Sequence, residues 1–116
     1  MAKIAEAFTA KSRAQLNYEA DVKAWPYYNI ERMEKRQTWD ELHPAVQRNW
    51  DSDKPGYHAA HPERSKALGL KLLSAYLSAG RMTLEEGREV AAAFGVLSVD
   101  TDTAEGLASA LRWLAA

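Results

Sequence analysis

The stretch Leu68 to Val96, LGLKLLSAYLSAGRMTLEEGREVAAAFGV, decides the fold. Leu68, Leu72, Leu73, Tyr76 and Leu77 recur at three- and four-residue steps, the spacing that keeps side chains on one face of a helix. Gly80 then supplies the left-handed residue that commonly ends a helix. Thr83 opens the next helix as an N-cap, and Glu86 three residues on completes a capping box. Leu84, Gly87, Ala91 and Phe94 make a second apolar face, closed by Gly95. Two complementary faces joined by a short connection pack as a helical hairpin.

Outward from that hairpin, the chain has the length of one domain, 116 residues. Alanine is abundant while Val, Ile and Thr are sparse, which favours helix over sheet. The expected fold is therefore all-α, a single-domain bundle over residues 1–116 with about five helices and the hairpin at its centre. There is no cysteine, so disulfides and thiolate metal sites are excluded, in keeping with a reducing cytoplasm. The N-terminal MAKIAEAFTAKSRAQL breaks its apolar residues with Lys3, Glu6, Lys11 and Arg13, unlike a signal peptide. No stretch is apolar enough over its length to span a bilayer, and no membrane partner is expected.

Net charge is −1, from 15 basic and 16 acidic side chains, so no global pull toward nucleic acid or anionic lipid follows. From Met82 onward the acids Glu85, Glu86, Glu89, Asp100, Asp102 and Glu105 outnumber Arg88 and Arg112, which would repel a phosphate backbone.

Residues 2–24 predict a first helix whose apolar stripe drifts between Ile4/Phe8 and Leu16, Tyr18, Val22 and Trp25; Pro26 stops it. Asn29 to Gln37 predicts a short helix capped by Asn29, with Ile30 and Met33 inward. Trp39, Leu42, Val46 and Trp50 share a helical face interrupted by Pro44, so a turn over 38–43 gives way to a helix over 44–50 with Pro44 in its first position. Residues 51–62 read as a long loop with Pro55 and Gly56 as its turn signal, and Pro62 starts the next helix. Val96 to Val99 could be extended, without a strand to pair with. Asp102 and Glu105 form a candidate capping pair for a last helix that buries Leu107, Leu111 and Leu114, with Trp113 at its flank. If that helix has more apolar face than one hairpin covers, a homodimer follows.

Chemistry is sparse. His58 and His61 stand three apart near Asp51, Asp53 and His43, a set that could feed a borderline metal. Pro62 makes His61 a helix-boundary residue and no third ligand has a convincing spacing, so the histidines read as exposed or capping groups and no cofactor is expected. Asp100-Thr-Asp102 resembles the opening of an EF-hand loop, but Glu105 sits where that loop needs glycine and Leu111 where it needs glutamate. LEEGREVAAAFGV with the following helix resembles the helix-turn-helix family over about 20 residues, through Ala91, Gly95 and Val96. That resemblance implies DNA binding, yet LSVDTDTAEGLASAL offers acids and alanines where a recognition element presents Arg, Lys, Asn or Gln. Asp40, Glu41 and His43 could form an acid–base group, as any charged turn could; there is no serine elbow or phosphate-cradling glycine loop.

What remains is the aromatic middle. Trp25, Tyr27, Tyr28, Trp39, Trp50 and Tyr57 are interleaved with Arg32, Arg36 and Arg48, and Trp, Tyr and Arg dominate interface hot spots. Trp39 and Trp50 are expected to be buried with Leu42 and Val46; Tyr27, Tyr28 and Tyr57, beside Pro or Gly turns, are expected to be exposed. The function expected from this pattern is non-enzymatic: a small soluble accessory subunit or inhibitor, phage-type in character, that binds another protein through Tyr27, Tyr28, Arg32, Arg36, Arg48, Tyr57 and His58. The rival readings are a nucleic-acid binder using the helix-turn-helix-like unit, or a histidine-based metal-binding protein.

Overall fold

The computed structural model describes residues 11–50, 53–97 and 99–116. Among them are six α-helices, one 3-10 turn and a two-stranded antiparallel ribbon, so the chain is mostly helical. In order these are α1 (Arg13–Ala24), β1 (Tyr27–Asn29), β2 (Glu34–Lys35), the turn Trp39–Glu41, α2 (Pro44–Asn49), α3 (Tyr57–Ala60), α4 (Pro62–Ser78), α5 (Leu84–Ala93) and α6 (Ala104–Ala115). None of the described helices is long and apolar enough to cross a membrane. The expected helical start over 2–10 lies outside the described residues, as do Asp51, Ser52 and Ser98.

The helix-stop signals of the central stretch take the expected form. Gly80 and Gly95 both have positive φ, 73° and 90°. The chain folds back at each: the Arg81 amide donates to the Tyr76 carbonyl and the Val96 amide to the Ala91 carbonyl, both at 2.9 Å. Thr83 caps α5 reciprocally with Glu86. Packing follows a different emphasis from the predicted hairpin. Helix α4 meets α6 far more extensively than α5. The reason lies in side-chain size: α5 buries Gly87, Val90 and Ala91, whereas α6 drives Leu107 and Leu111 fully into the core beside Leu70, Leu73 and Leu77. Gly87 lets the helices close, since a Cβ there would stand 2.7 Å from a Leu77 methyl and 3.0 Å from a Leu107 methyl.

Three local expectations are corrected. Asn29–Gln37 is not a helix but a β-turn ribbon, Tyr27 opposite Lys35 and Asn29 opposite Glu34. The Asn29 side chain accepts the Arg32 amide at 3.0 Å and Met33 adopts φ 56°, so local side-chain bonding wins over helix propensity. Ile30 is nevertheless buried, and Met33 packs against the core. The α6 cap is Thr103, whose hydroxyl accepts the Gly106 amide, rather than an Asp102/Glu105 pair. Leu16 and Leu114 are exposed, and α1 buries Tyr18 and Asp21 instead. Trp113 is 79% exposed.

Gly69 lies under Phe94: a Cβ there would sit 2.5 Å from two ring carbons. Phe94 in turn packs against the rings of Trp25 and Tyr27, so a shift of its ring disturbs those contacts. Gly69→Ala should therefore destabilise the fold by about 1–3 kcal/mol despite the better helix propensity of alanine, measured by urea unfolding.

Candidate functional site: a buried carboxylate–arginine pair beside two concavities

The polar centre of the molecule is Asp21, on the inner face of α1 and 3% exposed. A carboxylate in that position needs partners for both oxygens. Oδ1 accepts the backbone amides of His58 (2.8 Å) and Ala59 (3.1 Å), two of the free N–H groups in the first turn of α3. Oδ2 accepts from Arg36 Nη1 at 2.8 Å, and the same nitrogen donates to the Trp25 carbonyl at 3.2 Å. One side chain thus fastens three segments: α1, the end of the ribbon, and the strap over 53–61. Gly56 makes the approach possible, because a Cβ there would lie 2.4 Å from Asp21 Oδ1 and 2.8 Å from the Trp50 ring. Its φ of −68° is ordinary, so the requirement is space and not a special turn.

The aromatic rings fill in around this node. Trp25 stacks on the His58 imidazole at 4.8 Å and 11°, and meets Phe94 edge-on at 5.5 Å. His58 Nδ1 lies 2.7 Å from the hydroxyl of Ser65, a residue 1% exposed on α4. The histidine, serine and aspartate are neighbours without forming a catalytic triad: Asp21 holds the backbone of His58 and not its ring, and Ser65 is sealed from substrate. Tyr18, buried, receives the Trp50 ring edge-on at 5.0 Å, donates its hydroxyl to the Gln37 carbonyl, and lies under the Arg36 guanidinium at 5.3 Å.

Arg36 separates two concavities. On one side is a cavity of about 270 Å³ lined by Asp21, Trp25, Tyr27, Tyr28, Arg36 and His58. On the other is an open groove of about 560 Å³. Its floor is Tyr18, Leu42, Val46 and Trp50, and its rim is Tyr28 with the ribbon end Glu34–Gln37. The groove depends on the Pro44 boundary read from sequence. Pro44 begins α2, the His43 ring accepts the Ala45 amide at 3.1 Å, and Gln47 donates to the Trp39 carbonyl at 2.7 Å.

The predicted contact residues divide. Tyr28 and Arg36 line both concavities, and Tyr28 is 78% exposed. His58 lines the smaller cavity only, next to Tyr57, which is 61% exposed. Arg32 and Arg48 are exposed but line neither. Tyr27 is corrected outright: it is 1% exposed, part of the core, with its hydroxyl buried and without a partner among the described residues. Strand alternation turned it inward and Tyr28 outward. Burial, and then the charge of Glu89, push its phenol above the ordinary value. Trp39 and Trp50 are half-buried, not sealed. Leu42, Val46 and Trp50 were legible as an apolar face, but their pairing with Tyr28 across a groove required the ribbon. Among the described residues, no three His, Asp or Glu side chains cluster as metal ligands; His43 caps α2, and His61 sits at the boundary of α3 and α4 against the Tyr57 ring.

Set beside protein-family models, curated proteins and solved structures, the chain matches none of them significantly.

Two measurements check the node. Asp21→Ala leaves the Arg36 guanidinium facing an empty site and should cost about 3–5 kcal/mol in urea unfolding, with part of the loss recovered when Arg36→Met is added. His58 is held below the ordinary imidazole value of 6.5, first by burial and then by Arg36, against an opposing pull from Asp21. The unfolded chain therefore takes up the proton first as pH drops from 6.5, and stability should fall through that window until the folded imidazole is protonated too. His58→Gln should flatten that segment of the stability–pH curve.

Proposed function

We propose that this chain is a small cytoplasmic protein that acts by binding another protein, as an accessory subunit or inhibitor, and that the groove between the ribbon and α2 is where the partner sits. The observation that carries the reading is the groove itself. Its floor is apolar, Val46 and Tyr28 stand exposed at it, and no part of the described chain covers it. Aromatic and arginine side chains at one concave patch are the composition of interface hot spots. In this reading the helical bundle, with its α4–α5 hairpin braced by α6, is the platform, and the ribbon and α2 are what it presents. Relative to the seven residues expected from sequence, the contact set narrows to Tyr28 and Arg36 and gains Leu42, Val46 and Trp50.

The test uses affinity capture from the native host with three variants. Val46→Asp and Tyr28→Ala alter exposed groove residues and should leave stability within about 0.5 kcal/mol of the parent, as should Trp113→Ala on the exposed side of α6. A partner of the groove is retained by Trp113→Ala and lost by both groove variants, with affinity down about tenfold or more. A partner that both groove variants hold at full strength refutes the assignment.

A further inference from the structure

Arg36 has donors that the fold does not use. Its guanidinium carries five N–H hydrogens in a planar fork. Nη1 donates to Asp21 and to the Trp25 carbonyl. Among the described residues, Nε and Nη2 have no acceptor, and the hydroxyl of Tyr27 is the only side-chain polar atom both sealed and unpartnered. The Nε–Nη2 edge therefore reaches solvent. Nη1 is turned to Asp21 and Trp25, and Trp25 and Asp21 both line the smaller cavity. Arg36 lines the groove as well. Tyr18 beneath and Asp21 behind keep the plane from swinging, so the donors stand oriented before anything binds.

That edge is the one with which arginine grips a carboxylate through two parallel bonds. Both oxygens of Asp21 are already occupied, so they do not compete for the incoming group. Lys35 on the rim is exposed and has no ion-pair partner among the described residues. Glu34 lines the same groove with the opposite charge, so the guest's acid is assigned to Arg36 and not to Lys35. Beside the guanidinium, Val46 and Trp50 offer an apolar floor with no charge of its own.

The geometry points to one class of occupant: a peptide segment of another protein in which an aspartate or glutamate stands next to a large apolar side chain. The carboxylate meets the free edge of Arg36 and the apolar group lies on Val46 and Trp50. This inference rests on the groove being the binding surface, and adds the chemistry that the groove selects.

A phage-displayed library of random peptides, selected against the intact protein, tests it. The selected peptides are then synthesised and titrated against wild type, Val46→Asp, Tyr28→Ala, Lys35→Glu and Arg36→Lys. Peptides that need the groove should carry Asp or Glu beside Trp, Phe or Leu, and changing that acid to its amide should weaken binding to the wild type about tenfold or more. Arg36→Lys keeps the charge facing Asp21 but lacks the planar fork, so it should fold and bind about tenfold more weakly. Should it fail to fold, the acid-to-amide exchange in the peptide decides alone. Groove-dependent peptides with no acidic preference, or indifferent to the amide exchange, overturn this inference and leave the groove standing. A selection that yields no peptide sensitive to Val46→Asp or Tyr28→Ala overturns both.

Discussion

A single carboxylate with a full set of donors governs how this chain holds its irregular half. Leaving Asp21 unpaired in the interior would cost several kcal/mol, and the chain answers with two amides and a guanidinium. The donors come from two places. The amides are the exposed start of a one-turn helix too short to stand by itself, and the guanidinium comes from the end of a two-stranded ribbon that would be marginal alone. The interaction is thus less a gain in energy than a geometric demand: satisfying the charge requires α1, the ribbon and the strap over 53–61 to be in register together.

The regular half works by another principle. Between α4, α5 and α6 the contacts are almost wholly apolar, and close approach is set by Gly69, Gly87 and Ala108 as much as by the leucines that fill the space. The two halves meet at a run of rings in which Phe94, at the end of α5, takes both Trp25 and Tyr27. Rigidity built downstream is carried by that stack to the ribbon, and so to the wall of the groove.

How much of this was legible beforehand depends on whether the determinant was local. The stops at Gly80 and Gly95, the Thr83–Glu86 box and the role of Pro44 are each written in a few adjacent residues, and each stands in the structure as read. The ribbon was missed because Glu31, Glu34, Lys35 and Arg36 are good helix formers, while the deciding features, an asparagine bonding its own turn and a methionine at positive φ, carry no strong signal in the letters. Asp21 was invisible for a different reason. An acid inside a helix reads as a solvated position, and only partners 15, 37 and 38 residues away turn it into the centre of a network. Within Arg13–Ala24 the buried residues are Tyr18 and Asp21, so half of the inner face of α1 is polar and its apolar pattern is weak. The groove inherits both gaps: its floor followed from the spacing of Leu42, Val46 and Trp50, its facing wall did not.

The bare backbone at position 56 has an evolutionary corollary. Any side chain there collides with the carboxylate of Asp21 and the ring of Trp50, so that site, the acid and its arginine can drift only as a coupled set. Lys54, Tyr57 and Tyr28, close by and open to water, are under no such bond. Diversification among descendants of this chain is therefore channelled: Gly56, Asp21 and Arg36 hold one another in place, while open positions such as these can change one at a time.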